Sequence, residues 1–129
     1  DLQQQQGLSY LFISHDLAVI QHLADRVAVM YLGRIVEIAN RKELFQTPAH
    51  PYTQALLRAI PSGDPKTRCP LGERVLAGDV PSPTKQHTGC VFAERCPQVT
   101  SECRQQRPEF RQIRTGQLVA CHHARMDSA

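Results

Sequence analysis

The chain has 129 residues, 41% hydrophobic and 21% charged, with 15 Lys/Arg against 12 Asp/Glu for a net charge of +3. These are the proportions of a globular chain long enough for one domain or two small units, and they exclude a disordered or fibrous class. No apolar run approaches the roughly 20 residues of a transmembrane helix, and no basic-then-apolar leader opens the chain, so neither membrane insertion nor secretion is expected. Residues 1–63 carry five Lys/Arg against five Asp/Glu and residues 64–129 ten against seven. The tail's charges alternate in sign, with only Phe92 and Phe110 among them, so no nucleic-acid partner is expected.

Residues 1–6 read as the last turns of a helix with Gly7 as its C′ residue. Because the chain begins with Asp1 rather than Met, we expect a fragment of a longer protein. Residues 8–14 follow, with Tyr10, Leu11, Phe12 and Ile13 as an apolar run of strand length, apolar on both faces as a central strand of a parallel sheet would be. Asp16 can cap a helix whose apolar positions are Leu17, Val19, Ile20 and Leu23, which leaves Ser14 and His15 in the strand-to-helix turn. In parallel α/β sheets that turn is where ligands sit, so His15 is a candidate ligand contact, against the plainer reading of a turn histidine bonded to a backbone carbonyl.

Residues 26–32 then read as a strand, Gly33 as a turn and residues 34–39 as the hairpin partner, the whole an edge hairpin. A short helix over residues 41–45 stops at Thr47 and Pro48, and a second covers residues 52–60, with Pro51 in its first turn and Tyr52, Leu56 and Ala59 on one packing stripe. His50, just before it, reads as structural. All nine prolines lie from Pro48 onward and all five cysteines from Cys69 onward, so the boundary between two units falls at residues 44–48. Residues 62–89 are rich in Pro, Gly, Ser and charge, read as extended surface chain, and have too little apolar surface to offset their ordering entropy.

Something must pin that tail, and the cysteines are the candidates. Cys90, Cys96, Cys103 and Cys121 have five, six and seventeen residues between them. Four thiolates in a loop-rich segment suit an iron-sulfur or zinc centre, but the spacing matches neither a zinc knuckle nor the usual ferredoxin patterns, and disulfides or reduced structural thiols stay open. Cys69 lies outside the pattern as a spare thiol, and His122 and His123 read as solvated or supporting groups rather than ligands.

The string ISHDLAVIQHLADRVAVMYLGRIVE, residues 13–37, resembles the end of an ATP-binding-cassette ATPase domain, in which a strand-terminal switch histidine precedes a helix and a D-R-V-x-V-M-x-x-G-x-I-V-E hairpin. The resemblance implies that His15 contacts the γ-phosphate of ATP and holds the attacking water, a positioning and electrostatic role in phosphoryl transfer. LFQTPAHPYTQALLRAIP, residues 44–61, is similar to the junction in ATP-binding subunits of bacterial oligopeptide and dipeptide importers, with their H-P-Y-T-x-x-L at residues 50–56. Many such subunits carry a four-cysteine C-terminal segment holding a 4Fe-4S cluster, and Cys90, Cys96, Cys103 and Cys121 occupy the matching positions. An ATPase using cytosolic ATP works where thiols stay reduced, which disfavours disulfides.

The implied fold is α/β: the C-terminal end of a P-loop ATPase domain (strand, helix, β-hairpin) over residues 1–44, then a small irregular cysteine-containing region over residues 45–129. The implied function is the ATP-hydrolysing subunit of a peptide importer, using ATP, Mg2+ held by residues upstream of Asp1, and a 4Fe-4S cluster, with Zn2+ as the alternative. Its implied partners are a second, homologous ATP-binding subunit, two transmembrane permease subunits and, indirectly, an extracytoplasmic peptide-binding protein, at the cytoplasmic face of the inner membrane. The chain itself contains no G-x-x-x-x-G-K-S/T loop, no strand ending in an Asp-Glu pair and no signature helix, so alone it is expected to be inactive. A free-standing iron-sulfur or zinc regulatory module is the rival, and an inactive relative serving as partner subunit a third reading.

Overall fold

Asp16 caps a helix: its carboxylate accepts from the N–H groups of Ala18 at 2.9 Å and Val19 at 3.3 Å, satisfying two orphan donors of α1 (Leu17–Leu23). The computed structural model describes residues 5–60, 82 and 87–125. Strand β1 (Arg26–Tyr31) alternates exposed and buried, with Val27, Val29 and Tyr31 turned to the core. Leu32 and Gly33 turn it into β2 (Arg34–Asn40) as a two-residue loop with both φ values positive, 45° and 74°. Such loops match the twist of the flanking strands, and glycine takes the second position without a Cβ penalty.

The hairpin carries one irregularity that matters. Val29 pairs with Glu37 but Met30 with Ile35, so Val36 is an extra residue in β2. The bulge suspends the alternation, and Val36 and Glu37 are both buried. Helix α2 (Arg41–Gln46) then buries Leu44, and α3 (Pro51–Arg58) has proline at its first position and His50 as its cap. On α3 the fully buried residues are Pro51, Thr53 and Ala55, while Tyr52 and Leu56 are only partly covered and Ala59 is exposed. The expected stripe is thus displaced, because α3 packs its first turn inward rather than one long face.

Two expectations need correction. Residues 8–14 form no strand and join no sheet among the described residues, with Leu11 90% and Ile13 96% exposed. An apolar run becomes a strand only when neighbours accept its ladder bonds, and none does so here. The tail, in turn, is less irregular than its composition indicates. Helix α4 (Ser101–Gln105) leads to β3 (Arg111–Arg114) and β4 (Gln117–Val119), and the four strands form one antiparallel sheet in the order β1-β2-β4-β3. Of the expected hairpin only β1 lies at the edge, since β2 is flanked on both sides. Of the expected extended surface chain, residues 62–81 and 83–86, Cys69 included, lie outside the described residues, as do residues 1–4 of the expected helix end.

The main core is Ile20, Val27, Val29, Tyr31, Val36, Ala39, Leu44, Val91 and Phe92. Phe92, from the cysteine loop, fills an aromatic nest, its ring centroid 5.2 Å from Tyr31, 5.4 Å from Tyr52 and 5.6 Å from His50. A smaller cluster of Ile113, Val119 and Cys121 takes Ala49 and Ala124 as its cover.

The polar centre of the molecule is Glu37, fully buried. Its carboxylate accepts from the N–H of Ala49 and the N–H of His50, both at 2.9 Å, and from Gln117 Nε2 at 2.8 Å. Gln117, also fully buried, gives its amide to the carbonyl of Thr47 as well, at 3.0 Å. One side chain therefore joins β2, the entry to α3 and β4. Glu37→Ala leaves the N–H groups of Ala49 and His50 without their acceptor and removes one of the two bonds of the Gln117 amide, and we expect it to cost on the order of 2–4 kcal/mol and to raise amide exchange at Ala49 and His50. Exchange rates at those two amides, compared with α1 as an internal reference, check the prediction.

Candidate nucleotide contact and cysteine site

His15 sits at the bend just before α1, exposed to solvent, with Asp16 N–H donating to Ser14 Oγ at 3.0 Å beside it. The capped helix start fixes the backbone behind the imidazole. An exposed ring there is open to a ligand brought by another surface.

Cys90, Cys96, Cys103 and Cys121 are free thiols, the first two partly covered and the last two buried. The disulfide reading of the spacing is not realised. Loop, helix and strand each contribute: Cys90 and Cys96 flank the buried Val91, Phe92 and Ala93, Cys103 lies on α4, and Cys121 follows β4. Cys90 N–H donates to the Cys103 carbonyl at 2.8 Å, which ties loop to helix. Gly89 makes that approach feasible, since a Cβ there would fall 2.3 Å from the Cys103 carbonyl oxygen. On the far side Arg111 reaches the carbonyls of Cys121, His122 and Ala124 at 3.4, 3.4 and 3.0 Å and holds the turn after β4.

The sulfur environment has a consistent chemistry. Burial pushes the Cys90, Cys96 and Cys121 thiols up, and each feels the charge of neighbouring cysteines, which raises them further. Backbone N–H groups oppose this: Phe92 at Cys90, Gln98 at Cys96, and His123 with Ala124 at Cys121. Arg111 adds a smaller lowering effect at Cys121. Donors two residues beyond each of three cysteines favour the thiolate, while burial and mutual repulsion forbid several bare thiolates together. A cationic centre is one way to relieve that conflict.

The expected metal site is nevertheless not preformed for a single ion: among the described residues no three of His, Cys, Asp and Glu converge as ligands of one. His122 is occupied elsewhere, 3.4 Å from Glu102 Oε1 and 3.0 Å from the Gln106 carbonyl. His123, read as a supporting group, brings Nε2 to 3.4 Å from Cys103 Sγ and lines a cleft of about 760 Å3 together with Gln54, Gln98, Arg114 and Arg125. Sequence reasoning passed over Gly89, Phe92 and Arg111. Only Gly89, immediately before a cysteine in GCVFAERC, left a readable signal.

Residues 36–103 match the family model described as the oligopeptide/dipeptide transporter C-terminal region. A Brucella ovis protein provisionally named a peptide import ATP-binding protein is 52% identical over 121 residues, 94% of this chain and 38% of its own length. The dipeptide transport ATP-binding protein DppF of Haemophilus influenzae is 48% identical over 124 residues, 95% of this chain and 37% of its own. The oligopeptide transport ATP-binding protein AppF of Bacillus subtilis is 46% identical over 122 residues, with the same two coverages, 95% and 37%. The chain belongs to the oligopeptide/dipeptide transporter C-terminal family. It spans less than two fifths of the length of these curated relatives.

The family's H-P-Y stretch has a physical role visible here. His50 caps α3 by accepting from Tyr52 N–H through Nδ1 at 3.1 Å, and it is 1% exposed against Phe92. Burial lowers its pKa from 6.5 to about 4, so the folded protein holds the ring neutral. Below pH 6.5 the unfolded chain takes a proton that the native state refuses. Stability is therefore full above pH 6.5 and falls, by a total of about 3 kcal/mol, as pH drops to about 4. Denaturation midpoints measured across that window should show the slope, and His50→Asn, which keeps a capping acceptor, should remove it.

Proposed function

We propose that this chain is the C-terminal part of the ATP-binding subunit of a bacterial ABC importer for oligopeptides or dipeptides. The observation that carries the reading is the alignment of 94–95% of the chain, at 46–52% identity, with ATP-binding proteins named for peptide import or for oligopeptide or dipeptide transport. Residues 1–44 close the ATPase domain and residues 45–129 form the appended region. The subunit works at the cytoplasmic face of the inner membrane with a second ATP-binding subunit, two permease subunits and, through them, a peptide-binding protein. Among the described residues no helix is long and apolar enough to cross a membrane. A free-standing module would leave the apolar residues 8–13 facing water, which favours the larger assembly.

His15 is the residue of this chain that meets nucleotide. Placed at the bend just before α1, it donates to the γ-phosphate and orients the attacking water, while Mg2+ and the phosphate cradle come from residues outside this chain. In the complete subunit, His15→Ala should leave ATP affinity near parental and lower turnover roughly ten-fold or more, since the contact is made in the reacting state. Nucleotide titration and steady-state hydrolysis separate the two effects, and parental turnover would overturn the assignment.

Cys90, Cys96, Cys103 and Cys121 would hold a 4Fe-4S cluster whose role is structural: cationic irons that let four crowded sulfurs exist as thiolates and so pin the loop, α4 and the turn after β4 to one another. The reading is supported by the four free thiols, Cys103 and Cys121 buried and Cys90 and Cys96 partly covered, with the Cys90 N–H bonded to the Cys103 carbonyl. Complete subunit prepared without oxygen should be brown and carry about four irons, as this cluster type requires. Serine at any of the four positions should abolish the colour, and Cys69→Ser should not. Colourless protein with one zinc would transfer the site to zinc.

A further inference from the structure

The cleft of about 760 Å3 is walled by the entry to α3, by α3 itself, by the loop before α4, by β3 and by the turn after β4. Neither His15 nor any of the four cysteines lines it. Its polar inventory is one-sided. Arg114 and Arg125 bring guanidinium groups and Gln98 a side-chain amide, while no Asp or Glu is among the lining residues. Carbonyl oxygens at its border are already engaged: that of Thr47 accepts from Gln117 Nε2, that of Pro48 from Gln54 Nε2 and that of Ala124 from Arg111 Nη2, each at 3.0 Å. His123 has its Nε2 3.4 Å from Cys103 Sγ and is engaged there. The cleft therefore offers positive charge and N–H donors, with few acceptors, beside apolar surface from Pro48, Ala49 and Ile113.

We propose that this cleft binds a small organic anion, a polycarboxylate or a phosphate ester, with its charged end against Arg114 and Arg125. The inference goes beyond the importer reading and depends on neither the cluster nor the nucleotide contact, since it stands on side chains this chain supplies. A guanidinium presents paired N–H donors in a planar fork that matches carboxylate and phosphate oxygens alike, so the two anion classes share one chemistry. A zwitterion such as a free dipeptide fits poorly. Its ammonium group would leave water for a lining without a carboxylate, and a charge desolvated without a partner is costly. The volume falls within the roughly 300–1,000 Å3 of small-molecule sites, which gives the ligand an organic body to lay on Pro48, Ala49 and Ile113. An occupant there would also tie α3 to the turn after β4, so binding stabilises the folded region by mass action.

The test is calorimetric titration of the complete subunit at low salt with citrate, with glycerol 3-phosphate and with a dipeptide of two alanines. The forms compared are the parent, Arg125→Gln, Arg125→Lys and Arg114→Gln. At least one of the two anions should bind the parent with a Kd below roughly 1 mM, and which of them binds tells carboxylate from phosphate. Arg125 is exposed, so its glutamine variant should keep the fold while weakening that anion roughly ten-fold or more, the loss expected for a charge-assisted pair. Arg125→Lys keeps the charge without the fork and should fall between. Arg114→Gln should weaken binding likewise, and if that change in β3 prevents folding, Arg125→Gln decides alone. Added salt should weaken the anion, and the dipeptide should bind less tightly than it. A parent that binds neither anion overturns the proposal. So does an anion held equally by the parent and Arg125→Gln, which places it elsewhere on the subunit, or a dipeptide bound as tightly as the anion.

Discussion

A carboxylate buried without a cation is costly unless neutral donors surround it, and Glu37 is surrounded by three. The constraint is reciprocal. Ala49 and His50 are the residues before Pro51, so their N–H groups have no strand or helix partner, and a carboxylate at the start of α3 also suits the helix dipole. Gln117 in turn has no reason to be fully buried except to serve Glu37 and Thr47. Remove the carboxylate and three elements from distant parts of the chain lose their common anchor.

Around this anchor the cysteine loop and the ATPase-like hairpin are joined by an apolar contact rather than by chemistry. Phe92 lies between Cys90 and Cys96 in sequence and is 1% exposed among Tyr31, His50 and Tyr52. Whatever fixes the two flanking sulfurs also fixes the ring, and whatever loosens them loosens the packing of α3 against β1. The neutral His50 belongs to the same nest, so its charge state and the state of the sulfurs act on one shared group of side chains.

Much of the first half was legible because its signals are local. Asp16 reads as a cap, Gly33 as a turn, and the β1 alternation as a half-buried strand, and each depends on residues within a few positions. Glu37 was not legible: in an alternating strand it reads as an outward charge, and only the bulge at Val36 turns it inward. The stretch at residues 8–14 was read as a strand from its side chains alone, yet a strand exists through its neighbours' backbones. Arg111–Arg114 and Gln117–Val119 escaped for the opposite reason. They are short and mostly polar, and their strand character comes from pairing with β2, far away in sequence. His15 and the four cysteines were chosen by residue type and resemblance, whereas Arg114 and Arg125 share a cleft that only the folded chain assembles.

The sheet order has a consequence for the newborn chain. β2 is paired on one side by β1, its immediate predecessor, and on the other by β4, through Glu37 with Val119 and Ala39 with Gln117. The Glu37–Gln117 bond spans 80 residues. At synthesis rates of about 5–20 residues per second, roughly 4–16 s pass between the making of one partner and the other. During that interval the edge of β2 offers unpaired N–H and C=O groups beside an unsatisfied carboxylate, the kind of edge on which strands of other chains add. The strand β4 is thus also the seal of this sheet, and a ribosome that stops short of residue 119 releases a chain with β2 open on one side.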